Sequence, residues 1–271
     1  MERTDMNALQ LQRLTDVADG IWGTIGPCFE NACREMAAFA GAKHALLVHS
    51  AQAALEAILR AKNIGFGDQV IVARWSDPVD SMTAAALGAV PVFAEVTQAA
   101  PLLTPTAVSA CMTERTCAVI ADIPTNPDGI AELSRFCEEK GLCLILNLGD
   151  IWGLTLEEKP IHSYGCAAFV DMSQGCALDL GLAGAVLSDV TADFRMIYAR
   201  HDCGRDPGDG ASLTFDDILG GDLRIAEWQA SLLPGKLEQI NPCTYARSKL
   251  TDMASAPFWQ DPYYKKLTGT V

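Results

Sequence analysis

Positive charge is scarce in this chain. Its 271 residues hold 20 Lys and Arg against 34 Asp and Glu, a formal net charge of −14. Nucleic acids and anionic membrane surfaces demand clustered positive charge, so this balance excludes both as main partners. No CxxC pair occurs among the ten cysteines, which removes zinc ribbons and thioredoxin-like redox motifs, and no metal site is predicted. No apolar run reaches the roughly 18 residues of a membrane span, and the opening MERTDMNALQLQRL has no apolar signal core. The expectation is a cytoplasmic protein with reduced, mostly structural cysteines. Internal repeats and low-complexity tracts are also missing. What remains is 49% hydrophobic residues, enough at this length for one large α/β domain or two small ones.

From about residue 28 to 200, short apolar runs alternate with helical patterns. FENACREMAAFAG (29–41) reads as a helix ended by Gly41, and HALLVHS (44–50) as a buried strand followed by the helix AQAALEAILRAKN. The turn GFGD (65–68) leads into QVIVA (69–73), a helix through SMTAAALGA, and VPVFAEV (90–96). CAVIAD (117–122), a helix near 130–141 and LCLILNL (142–148) repeat the alternation. Strands apolar on both faces and separated by helices imply a mostly parallel sheet covered on both sides. Such sheets place ligands at the carboxyl ends of strands, which directs attention to the residues after Val48, Val72, Asn147 and Asp171. Beyond Arg200 a Gly- and Asp-rich loop precedes a helical pattern over 222–233.

The order of these segments resembles the DegT/StrS family of sugar aminotransferases over about residues 15 to 235. IGPCFENACREMAAFAGAKHALLVHSAQAAL (25–55) is similar to the family's first helix, first strand and cofactor phosphate loop. GFGDQVIVARWSDPVDSMTAAALGAVPVFAEV (65–96) follows like its paired strands, and GGDLRIAEWQA (220–230) resembles a Gly-x-Asn-x-Arg-Met-x-Glu-Leu-Gln-Ala segment. The resemblance implies a three-layer α/β fold-type I aminotransferase large domain at 1–235. A truncated tail at 236–271 would then stand in place of a C-terminal small domain.

It also allows each chemical position to be tested. Enzymes of this kind use a Lys to bind pyridoxal phosphate as a Schiff base and a carboxylate to keep the pyridine nitrogen protonated. The resemblance puts Cys176 at the Lys position and Asn147 at the carboxylate position, with Asp150 three residues on. The phosphate loop becomes Ser50, Ala51 and Gln52. The stacking aromatic becomes Asp77, with Trp75 two residues earlier, and Trp152 replaces a His. Asp171 replaces a Ser near the phosphate, and Asp222 replaces the Asn that reaches the phosphate across the dimer interface. Two of these changes bring negative charge towards a dianion. Arg224 and Glu227 keep the pattern and are expected to pack or pair at a subunit interface, and Asp222 at the start of the helical pattern fits an N-cap.

These departures predict a pseudoenzyme with no cofactor and specifically no pyridoxal phosphate. Its expected partner is itself, as a homodimer, or a competent family member, as a heterodimer, in amino-sugar or secondary-metabolite biosynthesis. Two other readings stand beside it. The old cleft could run different chemistry through a nucleophilic Cys176, or through Asp77, Asp150, Asp171 and Asp222 binding Mg²⁺ or a cationic ligand. A misaligned true transaminase predicts instead a lysine within reach of Asn147.

Overall fold

The computed structural model describes residues 8–20, 22–74, 76–96, 103–123, 129–149, 152–205 and 219–241. In chain order the elements are α1 (Ala8–Ala18), α2 (Pro27–Ala40), β1 (His44–Val48), α3 (Ala51–Ala61), β2 (Gln69–Ala73), α4 (Pro78–Ala86) and β3 (Val90–Ala94). There follow α5 (Pro105–Cys111), β4 (Thr116–Asp122), α6 (Ile130–Lys140), β5 (Cys143–Asn147), β6 (Thr155–Leu156) and β7 (Lys159–Pro160). A 3₁₀ turn (Ile161–Tyr164), β8 (Ala167–Asp171), β9 (Gly184–Ser188), α7 (Thr191–His201) and α8 (Glu227–Leu237) complete the order. Seven of the strands form one mostly parallel sheet, and β6 and β7 form a small antiparallel ribbon.

The chain divides into two compact units, one of residues 1–63 and 169–241 and the other of residues 64–168 and 242–271. In the first, β1 pairs antiparallel with β9, from His44 opposite Ser188 to Val48 opposite Gly184. Local signals set the helices around this pair. Pro27 opens α2, where a missing N–H is harmless, and Gly41 closes it at φ 69°, donating to the carbonyls of Ala37 and Ala38. Ser50 caps α3 by accepting from the Ala53 N–H at 3.0 Å. The helix then buries Ala53, Ala54, Leu55, Ala57, Ile58 and Leu59.

One long-range contact joins α2 to α8. The Glu227 carboxylate, 2% exposed, accepts N–H bonds from Gly26 at 3.0 Å, Cys28 at 2.6 Å and Phe29 at 3.3 Å. These are donors that the first turn of a helix leaves unsatisfied, and the positive end of the helix dipole favours the anion. Gly26 is required here, because a Cβ would lie 2.6 Å from a Glu227 carboxylate oxygen. Glu227, expected to pack or pair at a subunit interface, makes these three bonds to backbone donors of its own chain. Arg224, expected at the same interface, binds Asp222 and Asp202 of its own chain. The helix also begins at Glu227, not at 222, so Asp222 is not its N-cap.

In the second unit β5, β4, β2 and β3 run parallel in that spatial order. Val70, Ile71 and Val72 of β2, Val119 and Ile120 of β4, and Ile145 and Leu146 of β5 are fully buried, as expected of strands covered on both faces. Asp77 caps α4 by accepting from the Val79 N–H, and Gly141 at φ 67° closes α6. Cys143 and Cys166 form a disulfide with Cα atoms 6.1 Å apart. Reduced, mostly structural cysteines were expected, and this pair departs from that: the start of β5 and the turn before β8 place the two residues within bridging distance.

Replacing Glu227 by Ala strands three helix-terminal donors, two of them buried, and should lower the unfolding free energy by about 3 kcal/mol. Urea denaturation of the variant measures this. An unchanged midpoint would mean that water caps α2 equally well.

Candidate functional site

In the first unit, four segments meet at the carboxyl end of β1. The start of β9 passes so close beneath the first turn of α3 that a Cβ on Gly184 would sit 2.7 Å from the Ala51 nitrogen. The segment 222–224 lies alongside: the His49 N–H donates to the Leu223 carbonyl at 3.1 Å, and Val48 bridges Arg224. The turn after β8 is tied to the same place, with Met172 N–H donating to the Ala183 carbonyl at 3.0 Å. The structure thereby gathers Ser50, Ala51, Asp171, Cys176 and Asp222, which the sequence had assigned to one phosphate-end cluster. Gln52, assigned with them, is exposed.

Their electrostatics differ from the expectation. Asp222 receives two bonds from Arg224, from Nε at 2.7 Å and Nη2 at 2.9 Å, and this pairing holds its carboxyl below the usual range. Arg224 also reaches Asp202 at 3.6 Å. The carboxylate expected to repel a dianion is thus neutralised within its own chain. Asp171 turns inward: its oxygens accept from the Ser173 N–H at 2.9 Å, the Ser173 hydroxyl at 2.8 Å and the Cys176 thiol at 3.6 Å. Cys176 thus hydrogen-bonds a carboxylate in the turn after β8. Among the described lysines of this unit, Lys236 lies in the last turn of α8, whereas Lys43 precedes β1 and Lys62 ends α3 in an ion pair with Asp193. Lys43 and Lys62 therefore lie at the other end of β1 and α3 from Ser50.

The second unit contributes the carboxyl ends of β4 and β5. Asn147, 6% exposed, donates through Nδ2 to Asp80 Oδ1 at 3.1 Å and accepts the Gly149 N–H through Oδ1 at 3.0 Å. The Gly149 donor fixes the amide orientation, since a flipped amide would set two donors face to face. Asp122 is the register partner of Asn147 on β4, and its Oδ2 accepts the Asp77 N–H at 2.8 Å. Asp80 is fully buried, and its Oδ2 has no hydrogen-bond partner. Burial pushes the Asp122 carboxyl up to about 7, with the Asp77 carboxylate adding to the rise and the Asp77 N–H opposing it. Burial also raises Asp80, reinforced by the carboxylates of Asp122 and Asp77.

Sequence reasoning did not single out Asp80 or Asp122. The available signals were one acid ending the apolar run CAVIAD and one inside an Ala-rich helix. Trp152 is fully buried. Asp77 is exposed and serves as a cap, with no ring role. Trp75 and Asp150 lie outside the described residues. Among those residues, no group of three or more His, Cys, Asp or Glu is placed to hold a metal ion, so the acidic Mg²⁺ cluster has no geometric support. No described helix is long and apolar enough to cross a membrane.

Comparison with known proteins places this geometry. The DegT/DnrJ/EryC1/StrS aminotransferase family model matches residues 4–269. The chain is 31% identical over 229 residues to 3-amino-5-hydroxybenzoate synthase of Amycolatopsis mediterranei (strain S699), covering 82% of this chain and 58% of the relative. It is 38% identical over 264 residues to the spore coat polysaccharide biosynthesis protein SpsC of Bacillus subtilis (strain 168), covering 93% and 67%. The crystal structure of S. venezuelae DesV in complex with a ketimine intermediate superposes with a TM-score of 0.80 at 25% identity, covering 90% of this chain and 65% of that one. The chain thus spans about three-fifths of the first of these relatives. The fold-type I architecture expected from the sequence is the one observed. The expectation of no cofactor is overturned: the family and its solved structures are pyridoxal-phosphate-dependent aminotransferases, which points to that cofactor.

The raised Asp122 carboxyl makes stability depend on pH. Between about 4 and 7 the folded state binds a proton that the unfolded chain has released, so stability falls as pH rises through that window. The unfolding midpoint of Asp122→Asn should fall less steeply over the same range. Equal slopes for variant and parent would contradict the assignment.

Proposed function

This chain belongs to the DegT/DnrJ/EryC1/StrS aminotransferase family, and we propose that it acts in amino-sugar or secondary-metabolite biosynthesis as a subunit that holds pyridoxal phosphate without a covalent bond. The reactive amine then comes from a competent partner subunit. The observation that carries this reading is the turn after β8. The resemblance assigns the family's lysine to Cys176, and there a thiol donates to Asp171 within a turn closed by Ser173. A sulfur in that turn cannot condense with an aldehyde as an amine does.

The remaining residues suit the cofactor. The Ser50-capped start of α3, with Gly184 leaving its backbone uncovered, is a helix N-terminus of the kind that receives phosphate. Arg224 neutralises Asp222 and keeps that edge from repelling an anion. When bound, the cofactor would supply an electron-withdrawing ring. The chain's own residues orient that group and exclude water from it. The exposed Leu11, Trp22 and Trp228 support a protein partner, a second copy or a competent homologue, because large apolar side chains on a surface favour association.

The test is retention of pyridoxal phosphate through desalting, followed by denaturation with and without prior borohydride. The native chain should retain the cofactor when folded and release all of it on denaturation in both cases. Cys176→Lys should retain it through denaturation after borohydride. A native chain that keeps the label on a lysine, or that never binds the cofactor, would refute the proposal.

A further inference from the structure

Two carboxyls of the second unit have no task in the account so far. Asp80 is fully buried with one oxygen bonded to Asn147 and the other without a partner. Asp122 uses one oxygen for the Asp77 N–H. Among the described residues, no Lys or Arg pairs with Asp77, Asp80 or Asp122. Buried Asp80 and half-buried Asp122 lie close to each other and to the exposed Asp77, and like charges so placed oppose one another. With no cationic partner among the described residues, the free oxygen of the Asp122 carboxyl is open to a cationic ligand.

The placement of the group indicates which cation. Paired residues of neighbouring parallel strands project to the same face of the sheet, so Asp122 and its register partner Asn147 present their side chains side by side. Asn147 is clamped at both ends of its amide, by Gly149 at the oxygen and Asp80 at the nitrogen. It therefore brings no charge of its own, whereas the carboxyl one strand over does.

We infer that Asp122 supplies the carboxyl that receives the protonated ring nitrogen of a pyridinium-type ligand, and that Asp80 is a positioning residue that fixes Asn147 beside it. The inference rests on the reading that this chain holds pyridoxal phosphate, and it names the partner of the ring nitrogen within that reading. The carboxyl function that Asn147 cannot perform has moved laterally from β5 to β4. The upward displacement of the Asp122 carboxyl to about 7 is what a carboxylate awaiting a cation would show. The unbonded oxygen of Asp80 gives its carboxyl room to carry a proton while Oδ1 continues to accept from Asn147.

Titration with ¹⁵N-ring-labelled pyridoxal phosphate, read by fluorescence for affinity and by ¹⁵N chemical shift for ring protonation, tests this. The native chain should show a protonated ring nitrogen. Asp122→Asn should bind roughly 30-fold or more weakly and show an unprotonated nitrogen, the loss expected when one partner of a desolvated charge pair is removed. That variant relieves buried charge, so its unfolding midpoint should not fall, which separates a binding defect from a folding one. Asp80→Asn should weaken binding less and should lower the fraction of protonated nitrogen. An unprotonated ring in the native chain, or equal affinity and protonation in Asp122→Asn, would overturn the inference and leave the cofactor reading standing. Failure of the native chain to bind would overturn both.

Discussion

At Gly184 the first residue of β9 runs beneath the opening turn of α3 with no room for a side chain between them. The antiparallel register of β1 and β9 depends on that approach, because Val48 faces Gly184 at the point where β1 gives way to Ser50. Through this contact the α3 N-terminus, the turn after β8 and the segment 222–224 come to share one end of the first unit. Any larger residue at 184 would push the Ser50–Ala51 backbone away and open that cluster. The fold and the candidate phosphate end thus rest on one steric constraint, met by the absence of a Cβ.

The acids around these strand ends are handled in two different ways. In the first unit the charge is compensated locally: Asp222 by the Arg224 guanidinium, Asp171 by a hydroxyl, an amide and a thiol. In the second unit no described Lys or Arg compensates it, and Asp80 and Asp122 sit with raised carboxyls beside an amide. Strongly raised carboxyls at strand ends are one mark of a functional site.

Much of this was legible in the sequence. The strands 69–73 and 44–48 follow from short apolar runs bounded by Gly, Asp and Ser, and α2, α3 and α6 from apolar spacing with Gly41, Ser50 and Gly141 as punctuation. The order of those elements carried the family resemblance. What it could not carry were contacts between residues far apart in the chain. Glu227 reads as the middle of a helical pattern, yet it begins α8 because its carboxylate is drawn to donors at Gly26, Cys28 and Phe29. Cys143 and Cys166, 23 residues apart, share no motif spacing, and only the packing of β5 against the turn before β8 joins them. Asp80 and Asp122 look like an ordinary helix acid and strand end until the β4–β5 register sets them about Asn147. Asp171 and Asp222 looked hostile to phosphate because a sequence shows charges and hides the side chains that neutralise them.

The central claim is that this chain presents an aminotransferase cofactor site whose lysine position, by resemblance, is a thiol hydrogen-bonded to Asp171. A crystal structure of the chain grown with pyridoxal phosphate tests it most directly. The predicted result is a cofactor with its phosphate at the α3 N-terminus and no electron density continuous with any side chain. Density running unbroken from the cofactor into a lysine of this chain would contradict it.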